Sequence, residues 1–167
     1  MNTIAQFEKV SFEQFKNDWV DCLGKKPKNY NFPYDSINLP HRATTGSAGY
    51  DFYSPLDFTL EPGEMIKFPT GIRVRIDDGW VLMMFPRSSL GFKYKLQLNN
   101  TVGIIDSDYY NALNEGHIFV KLTNDGNKPV SVKAGEAVVQ GVFVPFGIVV
   151  DDDASGQRIG GFGSTNK

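Results

Sequence analysis

Between about Tyr34 and Phe146 the sequence runs in short apolar or alternating stretches, each cut by a turn signal: EPGE at 61–64, DDG at 77–79, NDGN at 124–127 and KAGE at 133–136. That punctuation predicts an all-β body. In GIRVRI, residues 71–76, Ile72, Val74 and Ile76 fall on one face, as in a strand with one side buried. WVLMMF at 80–85 and AVVQGVFVPF at 137–146 are apolar on both faces, so each needs cover on two sides. Two packed sheets or a barrel would supply it.

The N-terminal stretch follows another period. Ser11 and Gln14 have capping-box spacing, and Phe12, Phe15, Trp19 and Leu23 recur at helical intervals until Gly24. KKPKNYNFPY at 25–34 has no periodicity and reads as a linker. The expected organisation is a helical extension and linker at 1–33, a β domain at 34–150, and a flexible glycine-rich arm at 151–167. With 167 residues and ordinary apolar and charged fractions, one domain with a real core is the default. A formal charge of -2 offers no broad field for duplex nucleic acid, so no direct nucleic-acid binding is expected and a phosphate ligand must be held by a few placed cations. No apolar run approaches membrane-spanning length, and the start lacks the pattern of a signal peptide, which points to the cytoplasm. The single cysteine, Cys22, cannot form an internal disulfide and reads as a small apolar filler.

Five segments carry candidate chemistry. PRSSLGFK, 86–93, ends an apolar strand with Arg87, Ser88 and Ser89, which can clamp phosphate or form a plain polar turn. NNTVGIIDSDYY, 99–110, reads as a hairpin whose rim carries Asp106 and Asp108, able to bind metal, act as base or cap a turn. Gln140 in an apolar strand and Asp51 in AGYDFYS each need polar partners; an arginine in the core would satisfy Asp51. The tail GGFGSTNK, 160–167, groups glycines and hydroxyls around Phe162, as in a lid over a nucleotide or in a frayed terminus. His41 and His117 have no serine or cysteine partner in view and are not assigned to catalysis. The acidic run Asp151, Asp152, Asp153 reads as a solvated linker.

In order, NLPHRATTGSAGYDFYS, PRSSLGFK, NNTVGIIDSDYY, KAGEAVVQGVF and RIGGFGSTNK resemble the motifs of the trimeric deoxyuridine triphosphate nucleotidohydrolases, the dUTPases. The resemblance runs from about Ile37 to the end. It implies an all-β, jelly-roll-like (β-clip) subunit with the helical extension added, a homotrimer, and sites shared among three chains, with the arm closing a neighbour's site. The implied reaction is water attack on the α-phosphorus of dUTP, giving dUMP and pyrophosphate. That reaction limits uracil incorporation into DNA and supplies dUMP for thymidylate synthesis.

By the same resemblance Asp106 matches the base for water, Gln140 the glutamine near the α-phosphate, and Arg87, Ser88 and Ser89 the phosphate contacts. Asn100, Val102 and Gly103 match the segment that reads uracil, and Tyr109 the ring that packs on deoxyribose and excludes a 2′-hydroxyl. Asp51 matches an outer-sphere contact, through water, to a Mg2+ ion held by the triphosphate. Phe162 matches the ring stacked on uracil, with Gly163, Ser164 and Thr165 toward the terminal phosphates.

Three departures stand out. Arg158, the match for the tail arginine that binds the γ-phosphate, is one residue closer to GGFG than usual. Asn111 replaces a common glycine, and the NALNE that follows makes a longer loop. The helix at 11–23 lies outside the minimal family core, where it can pack on the trimer or recruit a protein partner. The dCTP deaminase branch of the fold is an alternative, disfavoured by Lys121 at its glutamate position and Phe92 at an expected arginine. A nucleotide-gated regulatory binding protein is the other.

Overall fold

The computed structural model describes residues 2–24, 27, 31–156 and 158–160. Every strand ladder among them is antiparallel. β11 (Ala137–Pro145) runs through the middle of a four-stranded sheet, between β2 (Tyr50–Tyr53) and β6 (Trp80–Pro86), with β8 (Gly103–Ile105) beyond β6. β9 (Phe119–Asn124) centres a second sheet between β4 (Met65–Pro69) and β7 (Leu96–Leu98). Two ribbons complete the body, β3 (Phe58–Leu60) with β10 (Val130–Val132) and β5 (Ile72–Ile76) with β1 (Ala5–Lys9).

The inward positions of these sheets close one core, in which Phe52, Phe68, Leu82, Leu122 and Val139 are all but inaccessible. Ile72, Val74 and Ile76 are buried, as their alternation requires. The turn signals fall where expected: the amides of Glu64, Trp80 and Glu136 each return to the carbonyl three residues back.

α1 (Phe12–Leu23) begins at Ser11, whose hydroxyl accepts from the Gln14 amide, and ends at Gly24 in the left-handed region (φ 63°). That conformation costs glycine little and other residues more. The capping box is completed differently from its sequence spacing. The Gln14 side chain turns to Asp18, and the carboxylate that receives the Ser11 amide belongs to Glu115. Phe15 and Trp19 bury against Val10 and Phe32 in a second cluster, joined to the main core through Ile37 and Leu56.

The segment preceding residue 34 therefore contains more than a helix and a linker. β1 lies in register on β5, with Phe7 opposite Val74 and Glu8 opposite Arg73, and α1 packs on β4. Periodicity missed β1 because AQFEK holds only two apolar residues, Ala5 and Phe7, too few for an alternation to declare itself.

Candidate active site

The register of β11 assembles one wall of the site. Gln140 stands directly opposite Asp51 on β2 and opposite Phe85 on β6, while Val139 faces Pro86, which places Arg87 immediately beyond the end of β6. Side chains of directly opposed residues lie on one face. Arg87 Nη2 reaches Asp51 Oδ2 at 3.4 Å, so the arginine that Asp51 needed is Arg87 itself. Gln140 Nε2 donates to the Pro86 carbonyl at 3.4 Å. Asp51, Arg87, Ser88, Ser89 and Gln140 line a single open cleft of ≈ 510 Å³. The Tyr53 hydroxyl beside it is pushed above its ordinary value by burial and by the Asp51 charge, with Arg87 opposing.

PRSSLGFK is more than a turn. Ser88–Tyr94 forms a short helix, α2, with Arg87 as its N-cap residue and no side-chain cap bond, so the exposed Ser88 and Ser89 open its first turn on the cleft. Gly91 and β-rich surroundings hid this helix from sequence reading. Ser47 and Gly49, not singled out from the sequence, also line the cleft. A Cβ at Gly49 would lie 2.5 Å from Gln140 Oε1, so glycine here makes room for the amide. The signal was the small-residue run GSAG before Tyr50. Arg42 Nη1 braces this loop by donating to the carbonyls of Thr45 and Ser47.

The NNTVGIIDSDYY segment is an arch between two sheets rather than a hairpin: β7 pairs with β9, whereas β8 pairs with β6. Thr101 adopts φ 65°, and the Val102 amide returns to the Asn100 carbonyl at 2.6 Å. Under the arch lies a cavity of ≈ 320 Å³ lined by Asn100, Gly103, Met84, Ile105 and Phe119, the size of a small planar ligand. Val102 is half-buried and Gly103 buried.

After β8 the chain turns into a 3-10 helix, Ser107–Asn111, with Asp106 at its N-cap position and no side-chain cap bond. Asp106 is thus not spent on the turn. Arg158 forks over both carboxylates: Nη2 to Asp106 Oδ2 at 2.6 Å and Nε to Asp108 Oδ1 at 2.7 Å. Its guanidinium also lies 5.7 Å above the Tyr109 ring. Tyr109 is buried, its hydroxyl donates to the His117 carbonyl at 2.6 Å, and burial pushes that hydroxyl's pKa above its ordinary value, with the hydrogen bond from Asn114 opposing. Phe162, Gly163, Ser164 and Thr165 lie outside the described residues.

A cleft edged by arginine, serines, an amide and a carboxylate, an arch over a cavity, and an aspartate with no capping bond before a buried tyrosine make up the candidate site. The dUTPase family model matches residues 35–166, a span that contains all of these residues. The chain belongs to the dUTPase family.

Two curated relatives are deoxyuridine 5′-triphosphate nucleotidohydrolases. That of Lactococcus lactis is 47% identical over 133 residues, 77% of this chain and 88% of the relative. That of Chromobacterium violaceum is 44% identical over 138 residues, 78% and 89%. A crystal structure of dUTPase from Streptococcus mutans is 35% identical, with TM-score 0.62 over 86% of this chain and 97% of the other. The dUTPase of staphylococcal phage phi11 shares the fold at 20% identity, with TM-score 0.63 over 98% and 99%. The dUTPase family match leaves out the first 34 residues, which hold β1 and α1.

Proposed function

We propose that this chain hydrolyses dUTP to dUMP and pyrophosphate, limiting uracil in DNA and supplying dUMP, with its own residues in the following roles. The observation that carries the assignment of roles is the meeting of Asp51, Arg87 and Gln140 on the wall of one cleft. Arg87, Ser88 and Ser89 bind phosphate oxygens, and Gln140 orients the α-phosphate and the attacking water. Asp106, a carboxylate with no capping duty, accepts the water's proton. Uracil enters the cavity under the arch, read by Asn100 and by the backbone of Val102 and Gly103. Tyr109 packs on deoxyribose and leaves no space for a 2′-hydroxyl.

Magnesium fits this donor set. Asp51 presents a carboxylate to the phosphate cleft, where it would meet the water shell of an ion held by the triphosphate. When bound, the ion neutralises phosphate charge.

The arm at 151–167 is proposed to close over a neighbouring site in a homotrimer. Arg158 exchanges its two carboxylates for terminal phosphates, Phe162 stacks on uracil, and Gly163, Ser164 and Thr165 face the phosphates. Phe146, Ile148, Val149 and Val150 are exposed apolar residues in near succession, which favours their burial in an assembly. No helix among the described residues is long and apolar enough to cross a membrane, and a half-buried, unpaired Cys22 suits a cytoplasmic setting.

The test is pyrophosphate release from dUTP, dCTP, dTTP and UTP with magnesium, for the intact protein and Asp106→Asn. Release from dUTP alone, lost on substitution, is expected. Uracil nucleotide formed from dCTP, or dUTP binding without turnover, would overturn the reading.

A further inference from the structure

The two places where the sequence departs most from the family pattern meet in space. The N-terminal strand and helix contact residues 110–117, a stretch that contains the longer NALNE loop at 111–115, through three side chains, each on a different residue. The Tyr110 hydroxyl donates to Glu8 Oε2 on β1 at 2.8 Å. Glu115 receives both the amide and the hydroxyl of Ser11 at 2.7 Å, completing the cap of α1. His117 Nδ1 lies 2.5 Å from Asp18 Oδ2 in the middle of α1. Glu8, Ser11 and Asp18 precede the family match, whereas Tyr110, Glu115 and His117 lie inside it.

His117 is the strongest of these links. It is fully buried, with Phe15 of α1 at 6.1 Å and Phe119 at 4.9 Å between ring centroids. The Gly71 amide donates to Nε2 at 2.8 Å, so the hydrogen-bond pattern puts the ring proton on Nδ1, aimed at Asp18. Both ring nitrogens are engaged and the ring cannot turn. The carbonyl of the same residue accepts the Tyr109 hydroxyl at 2.6 Å, and Asn114 Nδ2 donates to that hydroxyl at 2.8 Å. Arg73 holds the neighbouring Tyr110 carbonyl at 2.8 Å from below.

We propose that Asp18 is a positioning residue for the sugar subsite: the N-terminal strand and helix hold His117, and through its carbonyl the Tyr109 ring, at the distance that rejects a 2′-hydroxyl. This rests on the reading of Tyr109 as the deoxyribose contact. It differs from treating the helix as an accessory that can be removed without effect on turnover. The route is short, and its end-point is a ring whose job is steric. Steric exclusion depends on sub-ångström placement, which a loop of this length would not hold by itself.

The experiment compares kcat/KM for dUTP and UTP in the full-length protein, with melting temperature and oligomeric state measured alongside. Tyr109→Leu first tests the sugar reading and is expected to relax dUTP-over-UTP preference. Asp18→Ala is expected to relax that preference by about tenfold, since ångström-scale misplacement is costly in rate. Asp18→Asn, which keeps an acceptor for the His117 N–H, should restore most of it. Tyr109→Phe cuts the tie to the His117 carbonyl while keeping the ring; it should reproduce the Asp18→Ala loss and add little to it in the double variant.

An unchanged preference in folded Asp18→Ala, beside a relaxed one in Tyr109→Leu, would overturn the positioning role and leave the sugar reading standing. An unchanged preference in Tyr109→Leu would overturn the sugar reading and this inference with it. If Asp18→Ala does not fold, Ser11→Ala carries the same comparison through the Glu115 link; a folded Ser11→Ala with intact preference would also count against the proposal.

Discussion

Gly49→Ala separates the placement of Gln140 from the stability of the fold. A methyl built on Gly49 lies 2.5 Å from Gln140 Oε1, with Cδ at 3.4 Å and Cβ at 3.5 Å, so one contact is prohibitive and it involves the free end of a rotatable side chain. Gly49 has no positive φ, and its backbone accepts alanine. Removing glycine from the unfolded chain stabilises by about 0.4–1 kcal/mol. Driving Gln140 from its rotamer costs about 0.5–1.5 kcal/mol. The two nearly cancel, and the melting temperature should move by only a few degrees, since roughly 2–4 °C corresponds to 1 kcal/mol in a chain of this size.

Activity should respond quite differently. The amide oxygen must retreat from 2.5 Å to the 3.4 Å at which ordinary contact begins, and misplacement of about an ångström costs on the order of 10²-fold in rate. Steady-state pyrophosphate release should therefore fall by about that factor in kcat, with Gln140→Ala similar and the double variant no worse. A Gly49→Ala variant with full kcat would remove Gln140 from the chemistry. One that fails to fold would show that the glycine answers to backbone packing and not to the tip of Gln140.

Asp106→Asn should lower kcat by about 10²–10⁴-fold while dUTP still binds, read by turnover and by calorimetric titration. Arg158→Ala should raise KM for dUTP with less than about 1 kcal/mol lost in stability, because its partners Asp106 and Asp108 are half-exposed and surface pairs contribute little. Burial pushes the Glu115 carboxyl up, but the Ser11 hydroxyl and amide outweigh it and hold the group below its ordinary 4.5. A depressed folded value means stability that is complete above about 4.5 and fades as the pH falls through the folded value. Thermal melts across pH 3 to 6 should show a shallower acid limb in Glu115→Gln than in the unmodified chain. Phe15→Ala, which empties a fully buried site against Trp19, Tyr34 and His117, should cost about 3–5 kcal/mol by thermal or denaturant unfolding.

Much of the fold was local information. Turn residues at 61–64, 77–79 and 133–136 demand their reversals wherever the strands go, and the alternation in GIRVRI places Ile72, Val74 and Ile76 inward in any sheet. Ser11 and Gly24 bound α1 because capping needs only residues a few positions apart. The order of motifs was equally legible, since chemistry-bearing residue types at fixed spacing survive without any knowledge of packing.

What the sequence could not decide were meetings between residues far apart in the chain. That Asp51 answers to Arg87 and that Gly49 clears space for Gln140 follow from strand register, which shifts between Ala137 and Val139, and that Asp106 makes no cap bond follows from the 3-10 turn after β8. Ser11 and Glu115 are 104 positions apart, and Asp18 and His117 are 99. No periodicity extends over such separations. Burying His117 required a partner for each ring nitrogen, and only the packed α1 and the Gly71 amide brought both within reach.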